Sequence, residues 1–296
     1  MFLQRSERVL LAFISRSGCR APRLETIVVA SRATHLRGRS SRARAIMPKS
    51  THKPPSTACS LILLGGIELR GVPVAVAGRL LAQSKAVALL SFLLLSPKGR
   101  HQRRDRLVGL LWPELDQAHA RTVLRKVVHV VRTELGDGVL VGRGDEELMV
   151  ASDQLSCDAC EFTEHVEAGR LARALELYRG ELMPGFHLNG CAEFGSWLDQ
   201  ERRIAAQGAS AAAWALAVQH EREDRPTEAG KMARKAMQYD ASDERVLRRA
   251  MLMLQRIGDR AGAIRTFEDF ARRLRAELDT DPSPETAALA AAIRKG

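Results

Sequence analysis

RRDRLVGLLWPELDQAHARTVLRKVVHVVRTELG, residues 103–136, decides how the chain is read. It reads as two helices joined by the short turn WPELD, with Pro113 closing the first and Gly136 following the second. The second helix is expected to begin near Asp116, whose carboxylate can accept from the exposed backbone N–H groups of the first turn. Ala120, Leu124, Val127 or Val128, Val131 and Leu135 recur every three or four residues and make one apolar stripe. Arg121, Thr122, Arg125, Lys126, His129 and Arg132 fall on the other side, so the helix offers guanidinium, ammonium and hydroxyl groups to something outside the fold. That layout suits a recognition helix in a DNA major groove. An ordinary solvated surface has the same pattern, so neighbouring sequence has to separate the two readings.

Shortly after Gly136 comes VLVGRGDEELMVA, two short apolar runs around Gly142, Arg143 and Gly144, which is a hairpin signature. Helix, turn, helix, hairpin is the order of a winged helix, with Arg143 at the wing tip where phosphates or the minor groove are touched. The Arg143-Gly144-Asp145 tripeptide is read as coincidental.

The 296 residues suffice for about two domains and a sizeable core. A hydrophobic content of 45% with only 4% aromatic residues favours helices over sandwiches. The formal charge of +11 is unevenly spread: residues 1–60 carry 12 basic and 2 acidic side chains, and residues 61–160 carry 13 and 11. The pI near 10 therefore belongs mostly to the tail. The local signal lies between Lys98 and Arg132, with 9 basic and 3 acidic residues. Five scattered cysteines, Cys19, Cys59, Cys157, Cys160 and Cys191, suit a reducing compartment better than a disulfide framework. Cys157-Asp-Ala-Cys160 has no second paired motif and is read as the start of a helix rather than a zinc site.

Residues 1–60 are Arg- and Ser-rich and are expected to form a basic disordered tail. An organellar transit peptide has the same composition; translation starting at Met47, with the earlier residues a misplaced extension, is the preferred reading. From Leu61, LILLGGIELR and VPVAVAG read as a short strand pair, with Gly65-Gly66 at a bulge or turn. Lys85 to Leu95 is expected to be a core helix with Ala86, Leu89, Leu90 and Leu93 on one face, ending at Ser96-Pro97. Its LLSFLLL run is far short of the roughly 20 residues a membrane span needs, and no membrane role is expected. From Cys157 onward the chain is helical and nearly neutral. Asp224-Arg-Pro-Thr-Glu-Ala and Asp259-Arg-Ala-Gly-Ala-Ile open two similar units 35 residues apart, close to the period of about 34 in tetratricopeptide arrays. Ala229, Ala233 and Ala236 lie on one face of the first, and Ile264, Phe267 and Leu274 serve the second; such units bury little alone and are stabilised by stacking.

Two resemblances join these pieces. Leu61 to Val150, through LLGGIELR, SKAVALLSFLLLSP, RDRLVGLLWP and ARTVLRKVVHVVRTELG, resembles the winged-helix DNA-binding domain of the Streptomyces antibiotic regulatory protein type. ALELYRGELMPGF, WLDQER, GDRAGAIRTFEDFARRLRAEL and DPSPET resemble the bacterial transcriptional activator domain that follows it in the same regulators. The resemblance implies that Gln117 to Leu135 enters the major groove, that the loop Trp112 to Asp116 touches RNA polymerase, and that two copies bind direct repeats. Two departures stand out: Arg103 replaces a small capping residue, and Val130 replaces a basic residue late in the second helix. Trp112 itself is read as packing under the motif.

The expected fold is mainly α: a winged helix-turn-helix with short N-terminal strands and a wing hairpin, then a tetratricopeptide-like helical repeat domain. The expected divisions are the tail 1–60, a DNA-binding domain 61–151 and an activator domain 152–296. Arg121, Thr122, Arg125, Lys126 and His129 are the expected readers of base edges, each good bidentate Arg–guanine pair discriminating by about 1–3 kcal/mol. Arg103, Arg104, Arg132 and Arg143 are the expected phosphate contacts, and Glu114 and Asp116 the expected faces toward RNA polymerase. Double-stranded DNA, RNA polymerase and a second copy on DNA are the partners, in a bacterial cytoplasm. No nucleotide loop, nucleophile motif or ligand spacing among His101, His119, His165, His187 and His220 points to an enzyme, a metal or another cofactor. The competing reading is a protein-interaction adaptor working through its helical repeats, with a degenerate DNA-binding domain.

Overall fold

The computed structural model describes residues 59–97, 99–240 and 243–295; the expectations for the tail and for a start at Met47 lie outside them. The chain enters as β1 (Cys59–Ile62), turns through Gly65, and pairs antiparallel with β2 (Glu68–Arg70), Leu61 opposite Leu69. Leu61, Leu63 and Leu64 are all buried, so the sheet's inner face is apolar from its first strand.

VPVAVAG departs from its expected extended form. Val74–Leu81 is a helix, α1. Pro73 precedes it at φ −56°, a value suited to a helix start, and its missing N–H forfeits nothing there. Ala77, Leu80 and Leu81 then turn inward at helical spacing, which the alternation of Val and Ala conceals. α2 (Ser84–Leu95) is buried from Ala86 through Leu93, on every side rather than one. No single helix among the described residues is long and apolar enough to cross a membrane.

β3 (Gln102–Arg103) leads straight into α3 (Arg104–Leu111), and α4 (Gln117–Leu135) follows across the Trp112–Asp116 loop. Ala120, Leu124, Val127, Val128 and Val131 are the buried stripe of α4, and Leu135 is partly buried at its end. Complete burial of a side chain such as Leu124 stabilises by about 1.5–3 kcal/mol. Gly136 stops the helix at φ 103°, a conformation that disfavours any side chain. Behind it, β4 (Leu140–Arg143) and β5 (Glu147–Val150) form an antiparallel hairpin, with Leu140 opposite Val150 and Arg143 opposite Glu147; β3 pairs with the outer side of β5.

The next strand, β6 (Leu155–Cys157), lies parallel to β1 and completes the sheet β2-β1-β6. The junction near residue 151 is thus no loose linker, because the chain returns to its own first strand before the helical half begins. α5 (Asp158–Glu167) follows at once, with Cys157 buried and Cys160 Sγ donating to the Leu94 carbonyl at 3.3 Å. Buried Asp158 accepts from the Leu63, Leu64 and Ala159 N–H groups at 2.8, 3.1 and 2.8 Å, bolting α5 to the exit of β1. Burial raises its carboxyl above the usual range, against the lowering effect of those three donors.

α6 (Leu171–Leu177) ends at Tyr178, which packs against Phe162 of α5 and Tyr239 and whose phenol is pushed up to about 12 by burial; the 31-residue α7 (Ala192–Arg222) follows. Arg202 on α7 donates to the carbonyls of Leu182, Met183 and Phe186, fastening the irregular 178–191 segment. That segment in turn holds β1: Met183 N–H donates to Leu63 O at 2.7 Å and Gly65 N–H to Glu181 O at 2.9 Å. α8 (Pro226–Tyr239) with α9 (Glu244–Arg256), and α10 (Arg260–Leu278) with α11 (Pro284–Lys295), are two successive helix pairs at the positions the 35-residue spacing anticipates. Ala229, Ala233 and Ala236, the residues of one face, are buried; in the second unit Phe270 is buried, while Ile264, Phe267 and Leu274 pack partly covered against the same core. In all, six strands and eleven helices are found among the described residues.

Candidate nucleic-acid interface

One face of α4 is left for solvent once the apolar stripe is buried. Thr122, Arg125, Lys126 and His129 are exposed on it. They follow each other at i, i+3, i+4 and i+7, so they span roughly 10 Å at 1.5 Å per residue, about the rise of three base pairs at 3.4 Å each. Thr122 Oγ1 donates back to the Ala118 carbonyl at 3.0 Å, which leaves its lone pairs facing outward. Val130, in the position noted as a departure, is partly buried against the core and widens the apolar stripe.

The helix is placed by contacts at both ends. Asp116 caps its start, accepting from Ala118 and His119 N–H at 3.1 Å each, and its second oxygen lies 2.5 Å from His119 Nδ1. The His119 backbone N–H, followed by its imidazole, holds the Asp116 carboxyl below the usual range. At the far end Glu134 pairs with Arg79 of α1 through two bonds of 2.7 Å. Arg132, in the last turn, donates to the Leu140 carbonyl at 2.8 Å through Nη2, so this guanidinium holds the start of the hairpin.

Arg121 is the most engaged of the expected base readers. Its Nε and Nη2 donate to Asp105 Oδ1 at 3.0 and 2.6 Å, and Nη2 and Nη1 reach Glu146 at 3.1 and 3.4 Å. Asp105 also accepts from Gln117 Nε2 at 3.0 Å; Arg121 first, then Gln117, holds its carboxyl below the usual range. Sequence reasoning missed this network, since its members lie 16 and 25 residues apart and no periodicity connects them.

Arg104 opens α3, and its backbone N–H donates to Glu146 O at 2.8 Å. Burial lowers its guanidinium's pKa, and the like charges of Arg132, Arg125 and Arg121 add to that while Asp145 opposes it. Its Nε is buried without a hydrogen-bond partner among the described residues. Arg104 thus lies beside three other arginines between α3, α4 and the hairpin, of which Arg121 is already paired to carboxylates, and an anion at Arg104 would meet its orphaned donor. Arg103 and Arg143 flank this cluster with side chains 70% and 76% exposed, loosely paired to Asp105 at 3.7 Å and Glu147 at 3.9 Å. Arg103 supplies no side-chain cap to α3, as its replacement of a small polar residue implies.

Between α3 and α4, Glu114, Leu115 and Asp116 are exposed, while Trp112 is buried beneath them with Lys85 Nζ 5.6 Å from its ring centre. The end of α3 and the core helix α2, rather than the loop itself, meet the helical half of the chain. Lys85 and Cys191, the latter just before α7, both donate to the Leu111 carbonyl, Cys191 at 3.3 Å, and Phe92 meets Trp197 edge-on at 4.9 Å. Leu252 and Leu278 are exposed apolar side chains far along the second half.

Two comparisons with known proteins give a match, one to the second half and one to most of the chain. Residues 150–294 match the family model of the bacterial transcriptional activator domain. The fold is similar to that of Mycobacterium tuberculosis EmbR, solved in complex with a low-affinity phosphopeptide: TM-score 0.54 and 19% identity, over 81% of this chain. At that identity the likeness concerns the fold alone, and the chain spans 66% of the length of that protein. No curated protein matches the sequence.

Proposed function

We propose that the chain is a sequence-specific DNA-binding transcription regulator of the Streptomyces antibiotic regulatory protein type, acting as an activator in a bacterial cytoplasm. In this reading α3, α4 and the β4–β5 hairpin are a winged helix-turn-helix, and α8 to α11 are tetratricopeptide-like repeats. The observation that carries it is the exposed Thr122, Arg125, Lys126 and His129 face of a helix clamped at both ends. A helix held at both ends presents these donors from a fixed backbone, which sets their register on the groove. Arg125, Lys126 and His129 read base edges, with Thr122 beside them. Arg103, Arg104 and Arg143 take phosphates on either side, and Arg132 adds charge while holding the hairpin. The Trp112–Asp116 loop presents Glu114 and Asp116 to RNA polymerase, and two copies occupy a direct repeat.

The test is selection of genomic fragments by the full chain at two salt concentrations, with Arg125→Ala alongside. A short motif should be enriched, weaken with salt, and disappear for the variant. Equal, motif-free recovery by both proteins would favour the second reading, an adaptor working through its helix pairs. That reading draws on Arg121 and Arg132, whose guanidinium groups are spent inside the fold.

A further inference from the structure

We infer that Asp105 and Glu146 form a carboxylate lock that withholds Arg121 from DNA phosphates and so limits the chain's non-specific affinity; this rests on the DNA-binding reading above. Arg121 lies on α4 beside the exposed readers, yet each of its three nitrogens is bonded to a carboxylate of the same chain. Its side chain is 30% exposed, against 76% for Arg143 on the hairpin. The two acids come from different elements, Asp105 from the first turn of α3 and Glu146 from the hairpin turn. A single guanidinium therefore ties the reading helix to both of its flanking elements, with the Arg104 N–H bond to Glu146 O as a second tether.

The consequence for binding follows from what phosphates and bases each contribute. A phosphate contact strengthens binding to every sequence alike, whereas a base contact strengthens only the correct one. To reach a phosphate, Arg121 has to abandon two carboxylates already in hydrogen-bond contact, a like-for-like exchange of anions with little net gain. The lock thus keeps one strong cation next to the groove without letting it serve as sequence-independent glue. Arg125 and Lys126, one turn further along, have no such carboxylate partner among the described residues and stay available.

The experiment is a double-mutant cycle on the full chain, read by fluorescence anisotropy with a duplex of unrelated sequence between 50 and 200 mM KCl. Asp105→Asn with Glu146→Gln keeps the shapes but removes both charges. Released Arg121 should then neutralise one further phosphate, so the fall in affinity across that salt range steepens by a factor of about 3.5. Asp105→Asn alone should lie between, and thermal melts establish that each variant is folded. In an Arg121→Ala background the same substitutions should leave the steepness unchanged. If the steepening persists without Arg121, it reflects general loss of negative charge, and the lock is refuted; so it is if the double variant binds as the parent does. A parent protein that binds while the cycle shows no coupling removes the lock and spares the DNA-binding reading. Failure of every protein to bind any duplex removes both.

Discussion

Asp158→Ala offers the sharpest test of how the two halves are joined. The carboxylate takes buried N–H groups from Leu63 and Leu64, across more than ninety residues of chain, at 2.8 and 3.1 Å. Hydrogen bonds to a charged group contribute roughly 1.5–3 kcal/mol each, so losing these two, with the local Ala159 bond set aside, removes about 3–6 kcal/mol. Release of the carboxylate's own desolvation cost offsets part of this, leaving a net loss of about 3 kcal/mol. Urea unfolding of the full chain, followed by helical circular dichroism, measures it. Asp158→Asn should lose less, since one oxygen remains for Leu63 and Ala159 while the amide opposes the Leu64 N–H. The pH dependence has a definite sign. Burial raises the folded-state pKa, so the folded chain binds this proton more tightly than the unfolded chain. Titration of Asp158 therefore costs stability as pH rises from the ordinary carboxylate range through the raised value, and the cost is constant above it. The non-titrating Asn variant should fall further behind the parent on acidification through that window. A loss from Asp158→Ala below about 1 kcal/mol, or an Asn deficit that shrinks in acid, would refute the reasoning.

Three other substitutions probe separate parts of the account. Arg202→Lys keeps the charge but cannot span the Leu182, Met183 and Phe186 carbonyls together, and should cost about 2 kcal/mol in the same unfolding assay; an unchanged midpoint would mean that the fork is dispensable. Gly65 has φ +85°, and a Cβ there would stand 3.0 Å from the Arg179 carbonyl carbon and Cβ, so Gly65→Ala should destabilise by about 1–3 kcal/mol. Equal stability would show that the β1 turn is not held as described. Asp259 caps α10 through the Gly262 N–H at 2.8 Å and meets Arg234 at 2.9 Å. Asp259→Ala should cost about 1 kcal/mol and Asp259→Gly only a few tenths from the cap itself, which differential scanning calorimetry resolves; the reverse order would contradict the capping role.

Much of this architecture is legible in local sequence because its determinants are local. Asp116, the three- and four-residue spacing of Ala120 to Val131, and Gly136 define α4 without reference to anything distant. The 35-residue recurrence of Asp224 and Asp259 likewise anticipates two helix pairs. What escapes is set by partners remote in the chain. β6 pairs with β1 across some ninety residues, and the alternating Val and Ala of α1 imitate a strand until Leu80 is seen in the core. The candidate site divides in the same way. Exposure of Thr122, Arg125, Lys126 and His129 follows from helical periodicity. The engagement of Arg121 and Arg132 depends on where the hairpin folds back, and the spacing of residues along α4 is blind to that.

The most direct measurement replaces each guanine of the selected motif, in turn, by 7-deazaguanine, which removes the N7 acceptor from the major groove alone. The account predicts that one or more positions lose about tenfold or more in affinity, matching the roughly 1–3 kcal/mol of a bidentate arginine–guanine contact, and that Arg125→Ala is insensitive at one of them. Undiminished binding at every position, with Arg125→Ala indistinguishable from the parent, would contradict the claim that α4 reads bases through the major groove.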